Sequence, residues 1–296
     1  MSRLPIAAAA GTGIQVGMAI VATRYVIDQT GPTSLALWRY AIGALCLLPV
    51  VLAMRAWPRF QRRDLAPIAL LGIVQFGVLI ALLNLGLQYI SAGRAALILA
   101  TFPLQTMLLA SALGRERLTV AKSLGVLLTI LGVGIALGEK AAGGSGVWMG
   151  EAVVFISAFC GALCSVLYRP YLARYPALPV GAVAMLASVA FLAIPAAGEG
   201  VFAAAPQFTP GGWAAVLFIG ASSAIGYFLW LWALKHTTPT RVTVFLALSP
   251  ITAMALGALL LGEAITPMGL VGLVLVALGL AVAHLGKDQP GPTPSV

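Results

Sequence analysis

The sequence predicts an all-α integral membrane protein whose ten transmembrane helices form two inverted five-helix repeats. Three observations predict it. First, 61% of the 296 residues are hydrophobic and 8% are charged, against roughly a quarter charged in a soluble domain. A globule of this size has no interior large enough for so much apolar surface, so lipid must cover it. Second, the apolar residues fall into ten runs, each long enough to cross about 30 Å of hydrocarbon. Third, the stretch from Gln88 to Leu137, two apolar runs joined by a short charged hairpin, returns at a constant offset of 147 residues. Arg94 falls on Arg241, Pro103 on Pro250, Met107 on Met254, Glu116 on Glu263, Thr119 on Thr266, Gly125 on Gly272 and Gly132 on Gly279. Greasy composition alone does not keep a Pro, a Glu and two Gly in register without a gap, so the chain reads as an internal duplication.

In order, the spans are 4–27, 32–54, 65–87, 92–113, 119–138, 148–168, 178–197, 211–234, 240–261 and 267–285. The first has the lone charge and small apolar residues of a signal peptide. It nevertheless runs on to Ile27, long enough to span, and completes a set of five, so it reads as a helix with a cleaved signal as the lesser alternative. The connections are short and carry the breakers Gly31-Pro32, Trp57-Pro58, Gly143-Gly144, Tyr175-Pro176, Pro206, Thr238-Pro239 and Thr266-Pro267. Residues 1–140 form the first repeat, 141–286 the second, and 287–296 a Pro-rich polar tail expected to be disordered and cytoplasmic. Cys46, Cys160 and Cys164 all lie inside apolar spans and read as packing residues.

Orientation follows from Lys and Arg. Arg3, the cluster Arg55 to Arg63, the group Arg115, Arg117 and Lys122, then Arg169 and Arg174, Lys235 and Arg241, and Lys287 occupy every second connection. Both termini are therefore expected in the cytoplasm. Five helices per repeat is an odd number, so the second half enters the membrane inverted. The charges agree: Arg115-Glu116-Arg117 becomes Gly262-Glu263-Ala264, while Gln88-Tyr89 becomes Lys235-His236. The net charge of +9 sits in these topological clusters and forms no phosphate-binding face, so nucleic acid is not an expected partner. Inverted repeats are the architecture of secondary transporters, with a site near the midplane and alternating access by rocking.

The duplicated pattern resembles the EamA family of the drug/metabolite transporter superfamily. The features that carry the resemblance are a Leu-rich corner (Leu87-Gln88-Tyr89; Ala233-Leu234-Lys235), a mid-helix Pro (Phe102-Pro103; Ser249-Pro250), a Glu-x-x-Thr step (Glu116 to Thr119; Glu263 to Thr266) and a closing Gly-x6-Gly helix. Trp38-Arg39-Tyr40 is similar to the family's Arg-containing second helix, and the 178–197 span has no counterpart to Arg39. Relatives of this ten-helix type include amino-acid exporters, a YddG-like group among them, and exporters of other small metabolites. The resemblance implies a permease in the inner (cytoplasmic) membrane with a small-molecule substrate and no cofactor.

Polar side chains deep in the spans are the candidates for a cavity, because each must bond to a helix, a substrate or water. Gln15, Gln75 and Asn84 are the leading ones, with Thr101, Tyr227, Trp230 and Ser249 beside them. A Ser or Thr can instead satisfy itself on its own helix, and aromatic residues can belong to an interfacial belt. Arg39 lies about 10 Å into its span at 1.5 Å per residue, where a charge costs about 3 kcal/mol on insertion scales. It serves either as an anchor for a substrate carboxylate or, as its reach favours, as a residue snorkelling to the outer interface. Pro103 and Pro250 free a carbonyl each, at Leu99 and Leu246, and are either static kinks or hinges beside the cavity. Gly13 and Gly17 allow a close helix approach, for packing or for a mobile gate. Glu116 and Glu263 precede the fifth and tenth helices and are expected to cap them.

The leading function is transport of small metabolites, most of all amino acids, by alternating access. A flippase for a lipid or lipid-linked substrate is the alternative. An intramembrane enzyme is disfavoured: no Asp lies mid-span, and His236 and His284 sit near the expected cytoplasmic interface. No catalytic set, metal site or cofactor motif is expected. Without a deep carboxylate, facilitated exchange is simpler than proton coupling. The oligomeric state is left open.

Overall fold

The computed structural model describes residues 3–53, 58–114, 119–138, 146–203, 206–236, 242 and 245–285. Among them all regular structure is helical. Helices α1 (Arg3–Val26) and α2 (Pro32–Leu52) are joined by one turn of 3-10 helix. Helix α3 (Arg62–Leu87) widens into a π-helix over Ile73–Val78 and tightens again at Leu79. Helix α4 (Ala92–Ala112) is interrupted at Ala100 and Thr101. There follow α5 (Val120–Gly138), α6 (Val147–Leu167) with a short helix Arg169–Arg174, α7 (Ala177–Gly198) and α8 (Pro210–His236). Helix α9 (Leu248–Leu261) is entered through a 3-10 turn, Phe245–Ala247, and α10 (Pro267–Leu285) ends the described chain.

Among the described residues six helical stretches are long and apolar enough to cross a membrane: Pro32–Val51, Arg62–Leu87, Ala92–Ala112, Val147–Arg174, Ala177–Gly198 and Pro210–His236. Shorter apolar helices cover Ser123–Ala136, Leu248–Leu261 and Pro267–Gly279. The protein is multi-pass. Arg115, Glu116, Arg117 and Arg241, the Gly143-Gly144 and Thr238-Pro239 connections and the tail fall outside the described residues. In the ninth span, expected from 240, Val242 is helical, a 3-10 turn covers Phe245–Ala247 and the α-helix of α9 starts at Leu248, with 240, 241, 243 and 244 outside the described residues. Pro250 cannot donate to Leu246, which fits a 3-10 turn just ahead of it. Pro103 acts alike in α4, where the expected kink is a full break.

Local chemistry starts and stops the helices. Pro32, Pro210 and Pro267 occupy first positions, where a missing N–H is harmless. Ser91, Thr209 and Thr266 accept from the backbone N–H three residues on, of Arg94, Gly212 and Gly269, at 3.2, 3.0 and 3.0 Å. Helices α4 and α9 end in left-handed glycines, Gly114 (φ 67°) and Gly262 (φ 66°).

One expectation is corrected here. Glu263 does not cap α10, whose first turn Thr266 already satisfies. Its carboxylate crosses instead to the start of α4 and accepts from the Ala92 and Gly93 N–H groups at 2.9 and 3.4 Å. Glu199, just past α7, does the same for α2, accepting from Thr33 and Ser34 at 3.0 and 2.7 Å. Each negative group sits on a helix N-terminus, where the dipole favours it.

The packing partners are α1 on α8 and α9, α6 on α3 and α4, α2 on α7 and α8, α7 on α2 and α3, and α5 on α10. The α5–α10 seam is nearly backbone to backbone. A Cβ on Gly132 would stand 2.7 Å from the Gly272 carbonyl oxygen, and one on Gly279 2.6 Å from that of Gly125. Large apolar side chains such as Leu127, Leu131, Val271, Val274 and Leu278 are exposed on this pair. That outward surface is the lipid-facing one the composition requires.

Candidate functional site

A cavity of about 130 Å³ lies among α1, α2, α3, α4, α8 and α9. Its floor is built where the helices are irregular. Gln75 and Phe76 belong to the π-helical turn of α3, and Leu99 and Phe102 flank the break in α4. Leu246 and Ser249 flank the Pro250 turn of α9. A π-turn or a Pro break redirects side chains that a regular helix would carry past the site.

The polar groups come in pairs. Ser222 and Ser223 stand side by side on α8, and both hydroxyls donate to the Ile219 carbonyl oxygen, at 3.4 and 2.6 Å. Their remaining acceptor capacity serves the first half of the chain. Gln15 Nε2 donates to Ser222 Oγ at 3.1 Å and Arg39 Nε to Ser223 Oγ at 2.7 Å. Arg39 is 8% exposed, with its guanidinium carbon 5.6 Å from the Tyr40 ring centroid. Gln75 lines the same space, its Oε1 buried with no hydrogen-bond partner among the described residues.

The walls are aromatic. Phe76 packs on Tyr40 at 4.8 Å and on Tyr227 at 4.1 Å between ring centroids, and Phe102 meets Trp230 edge-on at 5.9 Å. One side of the cavity therefore offers a cation and amide groups, and the rest offers flat apolar surface.

Of the expected residues, Gln15, Arg39, Gln75, Tyr227, Trp230 and Ser249 line the cavity, and Asn84 and Thr101 do not. Asn84 Nδ2 instead donates to the Pro32 carbonyl oxygen at 2.9 Å, tying α3 to the start of α2. Thr101 Oγ1 bonds the Ile98 carbonyl oxygen at 2.7 Å and accepts from Gln105 Nε2 at 3.0 Å, inside α4. Arg39 does not snorkel outward, because the Ser223 hydroxyl gives it a partner inside the bundle. Ser249 lines the space but spends its proton on the Leu246 carbonyl oxygen, at 2.7 Å. Pro103 and Pro250 lie one residue beyond lining residues. Gly13 and Gly17 meet α9: a Cβ on Gly13 would overlap the Phe245 carbonyl oxygen, and one on Gly17 would stand 2.6 Å from that of Ser249.

Sequence reading missed Thr12, Tyr40, Phe76 and Phe102 as lining residues. All four directly follow or precede a residue that was singled out, and for the three aromatic ones an aromatic neighbour of a deep polar residue was the available signal.

Comparison with known proteins follows the same lines. The model of the EamA-like transporter family matches twice, over residues 3–138 and 148–285. A protein of Streptantibioticus cattleyicolor named "Probable terminal-alkyne amino-acid exporter" is 32% identical over 287 residues, covering 93% of each chain. An "Uncharacterized transporter" of Archaeoglobus fulgidus is 28% identical over 90% of this chain and 93% of its own. The transporter YyaM of Bacillus subtilis is 26% identical over 92% and 91%. One crystal structure shares the fold with a TM-score of 0.71 at 22% identity, over 94% of this chain and 95% of the other. This chain belongs to the EamA-like transporter family.

Proposed function

We propose that this protein exports amino acids across the cytoplasmic membrane by alternating access, with the Arg39 cavity as the binding site. The observation that carries this reading is the cavity itself: one buried cation beside amides, facing aromatic walls, between helices of both halves. The amino-acid exporter among the relatives covers almost the whole chain and supports the substrate class.

In the proposed mechanism residues 1–140 and 141–286 are inverted repeats of five membrane crossings each, with both termini cytoplasmic. Two observations support it. Exchanging α1–α5 with α6–α10 maps the list of packing partners onto itself. Under the 147-residue offset, the contact of Gly132 with Gly272 becomes that of Gly279 with Gly125. Two such halves can rock about a shared centre, and the cavity then faces each side in turn. Among the described residues no carboxylate lines the cavity, so transport runs as facilitated exchange.

Counterflow in proteoliposomes, with a panel of labelled amino acids and with or without a pH gradient, tests this. Saturable exchange that ignores the gradient is expected. No exchange by folded protein would overturn the amino-acid reading and direct the next assay to lipid scrambling.

A further inference from the structure

Among the described residues the cavity is lined by a cation, Arg39, and by no carboxylate, and this asymmetry has a chemical consequence. An amino acid presents both charges. Among the described residues Arg39 bonds through Nε alone, to Ser223, which leaves the four N–H groups of its two Nη atoms as a planar fork for a carboxylate. The α-ammonium has no equivalent. Every described carboxylate stands at a helix end with its own partners. Asp28 is beside Arg24, Asp64 holds Arg174 and Tyr175, and Glu151 pairs with Arg94. Glu199 and Glu263 accept backbone N–H groups. The other acids of the chain, Glu116, Glu139 and Asp288, lie in its connections and tail by sequence.

What the cavity offers an ammonium is neutral, including the Gln75 Oε1 and Tyr227 hydroxyl acceptors and the aromatic faces of Tyr40, Phe76 and Trp230. An amide oxygen accepts equally from an ammonium, a hydroxyl or a water molecule. A buried guanidinium without a carboxylate partner is the reverse case: it is costly unless an anion or water answers it.

Building on the transport reading above, we infer that the site selects a monocarboxylate with an apolar body and does not require the amino group. Its substrates therefore form a wider class than amino acids. Apolar 2-oxo acids, 2-hydroxy acids and aryl- or alkyl-carboxylates of the same size belong to it, and amines of the same shape do not.

The test is a matched series on the full-length protein: phenylalanine, 3-phenylpropanoate, which lacks the amino group, and phenethylamine, which lacks the carboxylate. Binding is read by intrinsic tryptophan fluorescence in nanodiscs, and competition by counterflow of labelled phenylalanine. 3-Phenylpropanoate should act within about threefold of phenylalanine. Phenethylamine should be at least about tenfold weaker, the loss expected when a charge-assisted hydrogen bond goes. In Arg39→Gln the preference for the acid over the amine should vanish, while Arg39→Lys should retain it in part. Phenethylamine equal to the acid, or 3-phenylpropanoate inert where phenylalanine binds, would overturn the inference. The two readings fail separately. Acid-selective binding without any exchange would sink the export reading and leave this one standing. Exchange of phenylalanine with the amine competing equally would do the opposite.

Discussion

Two of the places where the halves of this molecule meet, the α5–α10 seam and the cavity, are built on opposite plans. At the α5–α10 seam each half supplies the same thing, a Gly face that lets backbones touch. The hydroxyl there is satisfied within its own helix, Thr129 Oγ1 on the Gly125 carbonyl oxygen at 2.9 Å. At the cavity the halves supply different things. The first gives Arg39, Gln15 and Gln75, and the second gives serine acceptors and the Tyr227 and Trp230 walls. Helix α7 holds α2's place in the packing scheme, yet Ala177–Gly198 contains no charged residue at all. Symmetry serves the scaffold, where the same close approach works on both sides of an axis. The charge in the cavity, Arg39, comes from the first half alone among the described residues.

The seam is where the largest effects are expected. Gly132→Val and Gly279→Val each push a side chain into backbone of the facing helix, and overpacking of that kind costs about 1–3 kcal/mol or more. Both should lower the melting temperature and the yield of monodisperse protein, and by similar amounts. Gly134→Val carries the same change in helix propensity at a glycine whose Cβ would meet nothing within 4 Å, and should behave as the parent. A large difference between the two seam variants would break the comparison on its symmetric side.

What the sequence made legible, and what it did not, divides along the same line. Depth in the membrane can be read directly: the apolar runs, the duplicated Pro103 and Pro250, and the Gly pairs on α5 and α10 were all visible. Azimuth cannot, because a helix between lipid and protein is apolar on both faces and the usual amphipathic signal disappears. Asn84 was grouped with Gln75 as deep, yet it stands about 4.5 Å from the Leu87 end of its span at 1.5 Å per residue, and its amide faces the start of α2 and not the cavity. Phe76 and Gln75 reach the cavity through a π-turn over Ile73–Val78, where Gly77 is a breaker that does not by itself say which way the turn redirects its neighbours. Glu263 crosses to another helix because Thr266 already holds its own, a choice that only the packing decides.

Arg39 sharpens the asymmetric side. Arg39→Gln should reduce transport efficiency about 30-fold or more, the order of loss when one partner of a buried charged pair is removed. The melting temperature in the absence of substrate should stay level or rise, since a desolvated and unpaired guanidinium is relieved. Ordinary structural importance predicts the reverse split, with stability falling first. Arg39→Lys keeps the charge and loses the fork, so its transport should fall between the two. Proteoliposome initial rates and melting curves on the same preparations separate these outcomes.

The smallest expected effect lies at the edge, where the second half reaches across to cap helices of the first. Burial pushes the Glu199 carboxyl up, but the Ser34 and Thr33 N–H groups outweigh it and hold the folded-state pKa below the ordinary 4.5. A depressed pKa fixes the sign. The stabilisation is fully present above about pH 4.5 and is lost as the pH falls through the lower folded value. Glu199→Gln should therefore melt slightly lower than the parent at pH 7, with the gap closing as the pH drops below about 4.5. The effect is modest because the group is largely exposed and screened. A gap that stays constant from neutral to acid pH would mean that side-chain shape, and not the carboxylate charge on the α2 N-terminus, ties α7 to α2. The edge would then belong with the seam as packing, and charge recognition across the halves would be confined to the cavity.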